Sequence, residues 1–100
     1  MRRGEIWWAT LDKRRPVLIL TRGAALAVRT RVTVAPLTRT ERGLPFEVAV
    51  TKDDGVPGRS VISLDNVTTI SKAHLQGRMA TLGPERMTEV CAAFSYAIDC

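Results

Sequence analysis

Thr38, Arg39, Thr40 and Arg42 stand directly behind an apolar, β-prone run containing Val32, Val34, Ala35 and Leu37. Hydroxyls and guanidinium groups are thereby delivered to the end of a strand. Guanidinium forks grip phosphate oxygens in a bidentate way and stay charged at any working pH. A ligand with repeated phosphates, RNA or DNA, is the natural match for such a rim.

Other chemistries find little support. His74 is the only histidine, and no Cys or His stands at metal-ligand spacing from it. Asp53 and Asp54 are neighbours whose side chains diverge in an extended chain, so no metal site is expected. There is no Gly-rich phosphate loop, and no Ser-His-Asp or Cys-His set forms without His74, so no cofactor is expected either. RNA lessens the need for such groups because it carries its own nucleophile, the 2′-hydroxyl. A protein that holds this oxygen in line with phosphorus, and aims arginine donors where charge builds up, works by positioning and electrostatic stabilisation. Proton transfer is the difficulty. Arginine has a pKa above about 12 and threonine is a poor base, so modest turnover is expected and the base stays open.

The chain as a whole fits that chemistry. One hundred residues at 45% hydrophobic make a single domain, residues 1–100, with a modest core. Fifteen Lys and Arg against ten Asp and Glu give a net charge of +5, and only Lys13, Lys52 and Lys72 are lysines. The arginines cluster at 2–3, 14–15 and 39–42, which favours phosphate recognition over a merely basic surface. Cys91 and Cys100 are too few and too close for a disulfide framework and read as free thiols. No signal-peptide pattern and no membrane-spanning run is visible, so a cytoplasmic protein without a membrane partner is the simplest reading.

These residues need elements to position them. Residues 5–11 and 16–21 read as a strand pair joined by residues 12–15. Residues 22–31 hold one or two helical turns, 32–38 a third strand and 46–50 a fourth. A turn-rich loop over residues 52–58 precedes a strand at 60–64, and residues 66–70 continue the sheet. A turn at 71–75 and a short strand at 78–82 follow. One long helix spans about 84–98, with Pro84 in its first turn and an apolar stripe of Met87, Val90, Cys91, Phe94, Ala97 and Ile98. Many short strands closed by one helix predict a small, strongly bent antiparallel barrel.

In this order the segments resemble the MazF/PemK endoribonuclease toxins, which share their fold with the gyrase poison CcdB. The resemblance runs through Arg3-Gly4-Glu5-Ile6-Trp7-Trp8, Arg15-Pro16-Val17-Leu18-Ile19, Val34-Ala35-Pro36-Leu37-Thr38, Leu44-Pro45 with Glu47-Val48, residues 60–70 and the closing helix. It implies a mainly β fold with α, an SH3-like antiparallel barrel with a C-terminal helix, and a homodimer. It also implies sequence-specific, metal-independent cleavage of single-stranded RNA, whether mRNA or loops of tRNA or rRNA, and neutralisation by a cognate MazE-like antitoxin. The family's catalytic arginine maps onto Arg15 and its catalytic threonine onto Thr38. Asp65 and Asn66 fall where the family contacts RNA bases, although Asn66 suits a turn cap equally. Arg14, Arg39 and Arg42 are assigned as RNA contacts by chemistry and neighbourhood alone.

The chain departs from the family pattern in the first hairpin. Most relatives have a longer loop there, with glycine, serine and glutamate, whereas only Asp12-Lys13-Arg14 stand here. A more open, more basic groove and a different cleavage motif are expected. Three functions stay in play: an endoribonuclease toxin, a gyrase-poisoning toxin and a non-catalytic nucleic-acid-binding barrel. The second needs exposed anchors at the helix end, where Ala97, Ile98 and Asp99 offer few.

Overall fold

The first hairpin forms because two β-prone runs are separated by only residues 11–13. Strand β1 (Glu5–Thr10) pairs antiparallel with β2 (Arg14–Ile19), with Ile6 against Leu18 and Thr10 against Arg14. Arg14 and Arg15 are thus strand residues rather than part of the connection; ladder pairing to Thr10 and Ala9 outweighs their weak intrinsic preference. In this computed structural model, which describes residues 1–98, there follow α1 (Gly23–Val28), β3 (Arg31–Thr38), β4 (Glu47–Val50), β5 (Ser60–Ser63), β6 (Thr68–Ser71), β7 (Leu75–Thr81) and α2 (Pro84–Ala97). Single 3-10 turns occupy Lys52–Asp54, Leu64–Asn66 and Lys72–His74. The turn at Leu64–Asn66 interrupts the strand expected over residues 66–70, while β7 begins three residues earlier than expected.

The strands pair in the order β4-β5-β3-β2-β1-β7, with β6 also on β3, and every pair is antiparallel. Strand β3 organises the sheet. One edge meets β2, and the other is divided, with Arg31 to Val34 taking β6 and Leu37 to Thr38 taking β5. The result is the SH3-like, barrel-like sheet with a C-terminal helix that the sequence leads to, open between β4 and β7.

Both faces of the sheet bury apolar residues. On one, Ile6, Leu18, Leu37, Val50 and Ile62 meet Val90 and Ala93 of α2; on the other, Ala9, Val17, Ile19 and Val34 meet Leu26 of α1 and Ile70. Each fully buried aliphatic side chain contributes about 1.5–3 kcal/mol, enough together to hold the strand ends rigid. The stripe of α2 is Met87, Val90, Ala93, Phe94 and Ala97. Cys91 is exposed with a free thiol and Ile98 is 59% exposed, which corrects the expected stripe. Cys91 follows Val90 by one residue and so lies roughly 100° around the helix from the buried line. Cys100 and Asp99 lie outside the described residues.

Candidate nucleic-acid interface

Strand β2 begins where β3 ends, and this coincidence builds the site. The β2–β3 register pairs Val17 with Pro36; carried two residues on, it sets Arg15 against Thr38. Thr38 is also paired with Val61 of β5. A groove of about 370 Å³ crosses these strand ends, lined by Trp8, Lys13, Arg14, Arg15, Pro16, Leu37, Thr38, Arg39, Val56, Pro57, Ser60 and Met79. Because it runs across the ends rather than over one face, it collects side chains from both faces of the sheet. Arg15 and Thr38 belong to the face of Ala9, whereas Trp8, Pro16 and Leu37 belong to the other.

Each polar group on this rim is held in its own way. The Thr38 Oγ1 accepts the Thr40 backbone N–H at 3.2 Å, which leaves the Thr38 hydroxyl hydrogen free to donate to a ligand. The Arg14 guanidinium carbon lies 4.3 Å from the centroid of a Trp8 ring. Gly58 makes room for Arg39: a Cβ there would stand 3.4 Å from Arg39 Nη1. Arg15 is half-buried, and the Ser60 hydroxyl sits on a buried residue.

The arginines divide into two groups by partner. Arg59 pairs with Glu41, Arg78 with Glu5, and Arg86 with Asp54 and Glu89. Burial works to raise the Glu5 carboxyl, but Trp7 Nε1, the Arg2 N–H and Arg78 outweigh it and leave it below its ordinary value. Arg14, Arg15 and Arg39 have no acidic partner among the described residues, and no carboxylate or imidazole lines their groove. Three guanidinium groups and Lys13 crowded without a counter-charge repel one another, a cost that a bound polyanion removes.

Of the residues singled out in the sequence, Arg14, Arg15, Thr38 and Arg39 come together here, while Arg42, Asp65 and Asn66 do not line the groove. The Arg42 N–H donates to Glu47 Oε1 in the loop beyond β3. Asp65 accepts from the Ser63 hydroxyl, and Asn66 Nδ2 donates to the same hydroxyl at 3.0 Å, which ties the three side chains together at the Leu64–Asn66 turn without a side-chain cap on its backbone. Lys13, Ser60 and Met79 are groove residues that sequence reasoning missed. Lys13 adjoins Arg14 and was legible; Ser60 and Met79 arrive through long-range contacts that leave no local signal.

The sequence and the fold have close counterparts among known proteins. Residues 2–98 match the family described as PemK-like, MazF-like toxin of type II toxin-antitoxin system. "Probable endoribonuclease MazF5" of Mycobacterium tuberculosis is 43% identical over 101 residues, spanning 98% of this chain and 93% of the relative. "Probable endoribonuclease MazF2" of the same organism is 38% identical over 102 residues and the full length of both. Among solved structures, the Mycobacterium tuberculosis toxin MazF-mt6 superposes with a TM-score of 0.91 at 42% identity, covering 95% of this chain and 96% of that one. An endoribonuclease in complex with its cognate antitoxin, from mycobacterial species, superposes with a TM-score of 0.90 at 26% identity, covering 98% and 94%. With the family matched from end to end and relatives this similar over almost their whole lengths, the chain belongs to the PemK-like, MazF-like toxins of type II toxin-antitoxin systems.

Proposed function

We propose that this single domain is an endoribonuclease toxin that cuts single-stranded RNA in the cytoplasm by 2′-hydroxyl attack, without a metal, and is neutralised by a cognate antitoxin. The observation that carries this reading is the meeting of Arg15 and Thr38, from neighbouring strands, on a groove whose guanidinium groups have no acidic partner among the described residues. The relatives named endoribonuclease support it. The solved relative in complex with its antitoxin supports the neutralisation.

In this mechanism the 2′-oxygen attacks the adjacent phosphorus in line and the 5′-oxygen leaves, giving a 2′,3′-cyclic phosphate and a 5′-hydroxyl. Arg15 donates to the non-bridging oxygens as charge accumulates on them. Thr38, fixed by the Thr40 N–H, donates its hydroxyl hydrogen to the same group. Arg14 and Arg39 hold flanking phosphates, and a homodimer would lengthen the groove beyond what one 11.0 kDa chain offers.

The test is incubation in excess EDTA with mixed-sequence RNA and with copies carrying one 2′-deoxy residue at each cut position. Cleavage of the first and sparing of the second is expected, with Arg15→Ala lowering kcat far more than affinity. RNA that binds yet stays whole, with Arg15→Ala changing affinity alone, would leave a passive binding module. Tyr96 and Ile98 are each 59% exposed, so the end of α2 offers more apolar surface than its sequence suggests. That observation favours a gyrase-poisoning activity as the second reading, and trapped gyrase–DNA complexes would reveal it.

A further inference from the structure

Trp8 lines the groove yet packs against neither core cluster, unlike Trp7, whose ring joins the second cluster and whose Nε1 donates to Glu5 Oε1. Its ladder partners are Pro16 on β2 and Gly77 on β7. A Cβ on Gly77 would meet nothing within 4 Å, so the position across from Trp8 on β7 is open. The exposed Arg14 guanidinium lies over the ring and has no carboxylate partner among the described residues. A half-buried aromatic side chain that lines the groove outside both core clusters, with a mobile type of side chain lying over its ring, is suited to a planar ligand. An exposed guanidinium on an indole is a weaker stack than a nucleobase. The displaced guanidinium also gains a phosphate in exchange.

We propose that Trp8 is a nucleobase-stacking subsite beside the cut, guarded in the free protein by Arg14, which moves onto a phosphate when the base takes the ring. This rests on the reading of the groove as an RNA site. It makes Trp8 a base-binding residue and Arg14 a phosphate contact.

Affinity for RNA blocked at the cut position by a 2′-deoxy residue tests this separately from cleavage. A series of such RNAs, each with one abasic residue near the cut, is titrated against the native chain, Trp8→Leu, Trp8→Phe and Arg14→Gln. One abasic position is expected to weaken native binding by about tenfold to a hundredfold. The same position should cost nothing in Trp8→Leu and most of its native amount in Trp8→Phe. Arg14→Gln should keep the abasic penalty while weakening every RNA alike and flattening the salt dependence. In a Trp7→Phe background the remaining tryptophan fluorescence should be quenched on binding, which guards against a misfolded Leu variant. An abasic penalty that persists in Trp8→Leu overturns the subsite, as does one that vanishes in Arg14→Gln, since the base would then lie on the guanidinium. If the pattern holds but unblocked RNA stays whole, the subsite stands and the nuclease reading falls. If RNA is cut and no abasic position depends on Trp8, the reverse is true.

Discussion

Thr38 is the residue whose local bonding says most about the chemistry. Its Oγ1 already accepts the Thr40 N–H, so it is poised as a donor rather than as a base. Thr38→Val keeps the shape, removes that donor and leaves the exposed Thr40 N–H to water; a fall in single-turnover rate of about 10²–10³ is expected with affinity changed only a few-fold. Thr38→Ser should keep most of the rate, and an equally inactive Ser variant would show that the methyl group, and hence packing, is what matters. A second expectation follows from the lining of the groove, which among the described residues includes no carboxylate or imidazole. With no side chain there able to take a proton near neutrality, the logarithm of kcat should rise with pH at about unit slope from roughly pH 6 to 9. A plateau starting near neutrality would reveal a titrating group that reaches the site from elsewhere, such as a second copy.

At the scale of elements, the loop that precedes β5 walls the groove with Val56 and Pro57, and two contacts hold it. Gly55 has φ of +90°, and a Cβ there would stand 2.9 Å from Ala80 Cβ on β7, so Gly55→Ala should cost about 1–3 kcal/mol and lower Tm measurably by calorimetry. The Lys52–Asp54 turn is tied to α2 by the two-pronged Arg86–Asp54 pair and closed by a capping box with Thr51. Burial works to raise the Asp54 carboxyl, and Arg86 with the Thr51 N–H outweighs it, so its folded pKa lies below its ordinary value. Such a group contributes stability that is present above the unfolded pKa and is lost as pH falls through the folded one. Below about pH 4 the native chain should therefore lose stability more steeply than Arg86→Leu, whose deficit at neutral pH should be about 1–3 kcal/mol. Parallel acid limbs in urea titrations would show that the pair is not linked to folding. Elements with their own periodic signal were legible: the alternation through Val32 to Thr38 and the Pro84 start of α2 appear in the fold as read. The beginnings of β2 and β7 were not, because Arg14, Arg15 and Gly77 carry no strand preference and are drawn in by partners on β1, while Gln76 is passed over at a register shift. The same cause hid half of the groove. Thr38 and Arg15 announce themselves by type, but Ser60 reaches them only through the β3–β5 pairing.

At the scale of the molecule, the charge is sorted rather than spread. Glu5, Glu41, Asp54 and Glu89 are spent on Arg78, Arg59 and Arg86 away from the groove, while Lys13, Arg14, Arg15 and Arg39 stand together in it with no acid among the described residues that line it. An antitoxin that silences this protein at the groove must present acid to the same cations that would hold phosphates, and its inhibitory segment should be acidic and extended. Arg39→Glu places a like charge against either ligand at a point where no carboxylate among the described residues is paired with Arg39. It is expected to weaken both the antitoxin and blocked RNA by about tenfold or more, with both losses shrinking as salt rises. Arg59→Glu, which breaks an exposed pair with Glu41 outside the groove, should change neither by more than about threefold. Binding titrations of the two variants against both ligands separate the possibilities. If Arg39→Glu weakens RNA but leaves the antitoxin untouched, the antitoxin seats elsewhere and inhibits by reshaping the groove rather than by filling it.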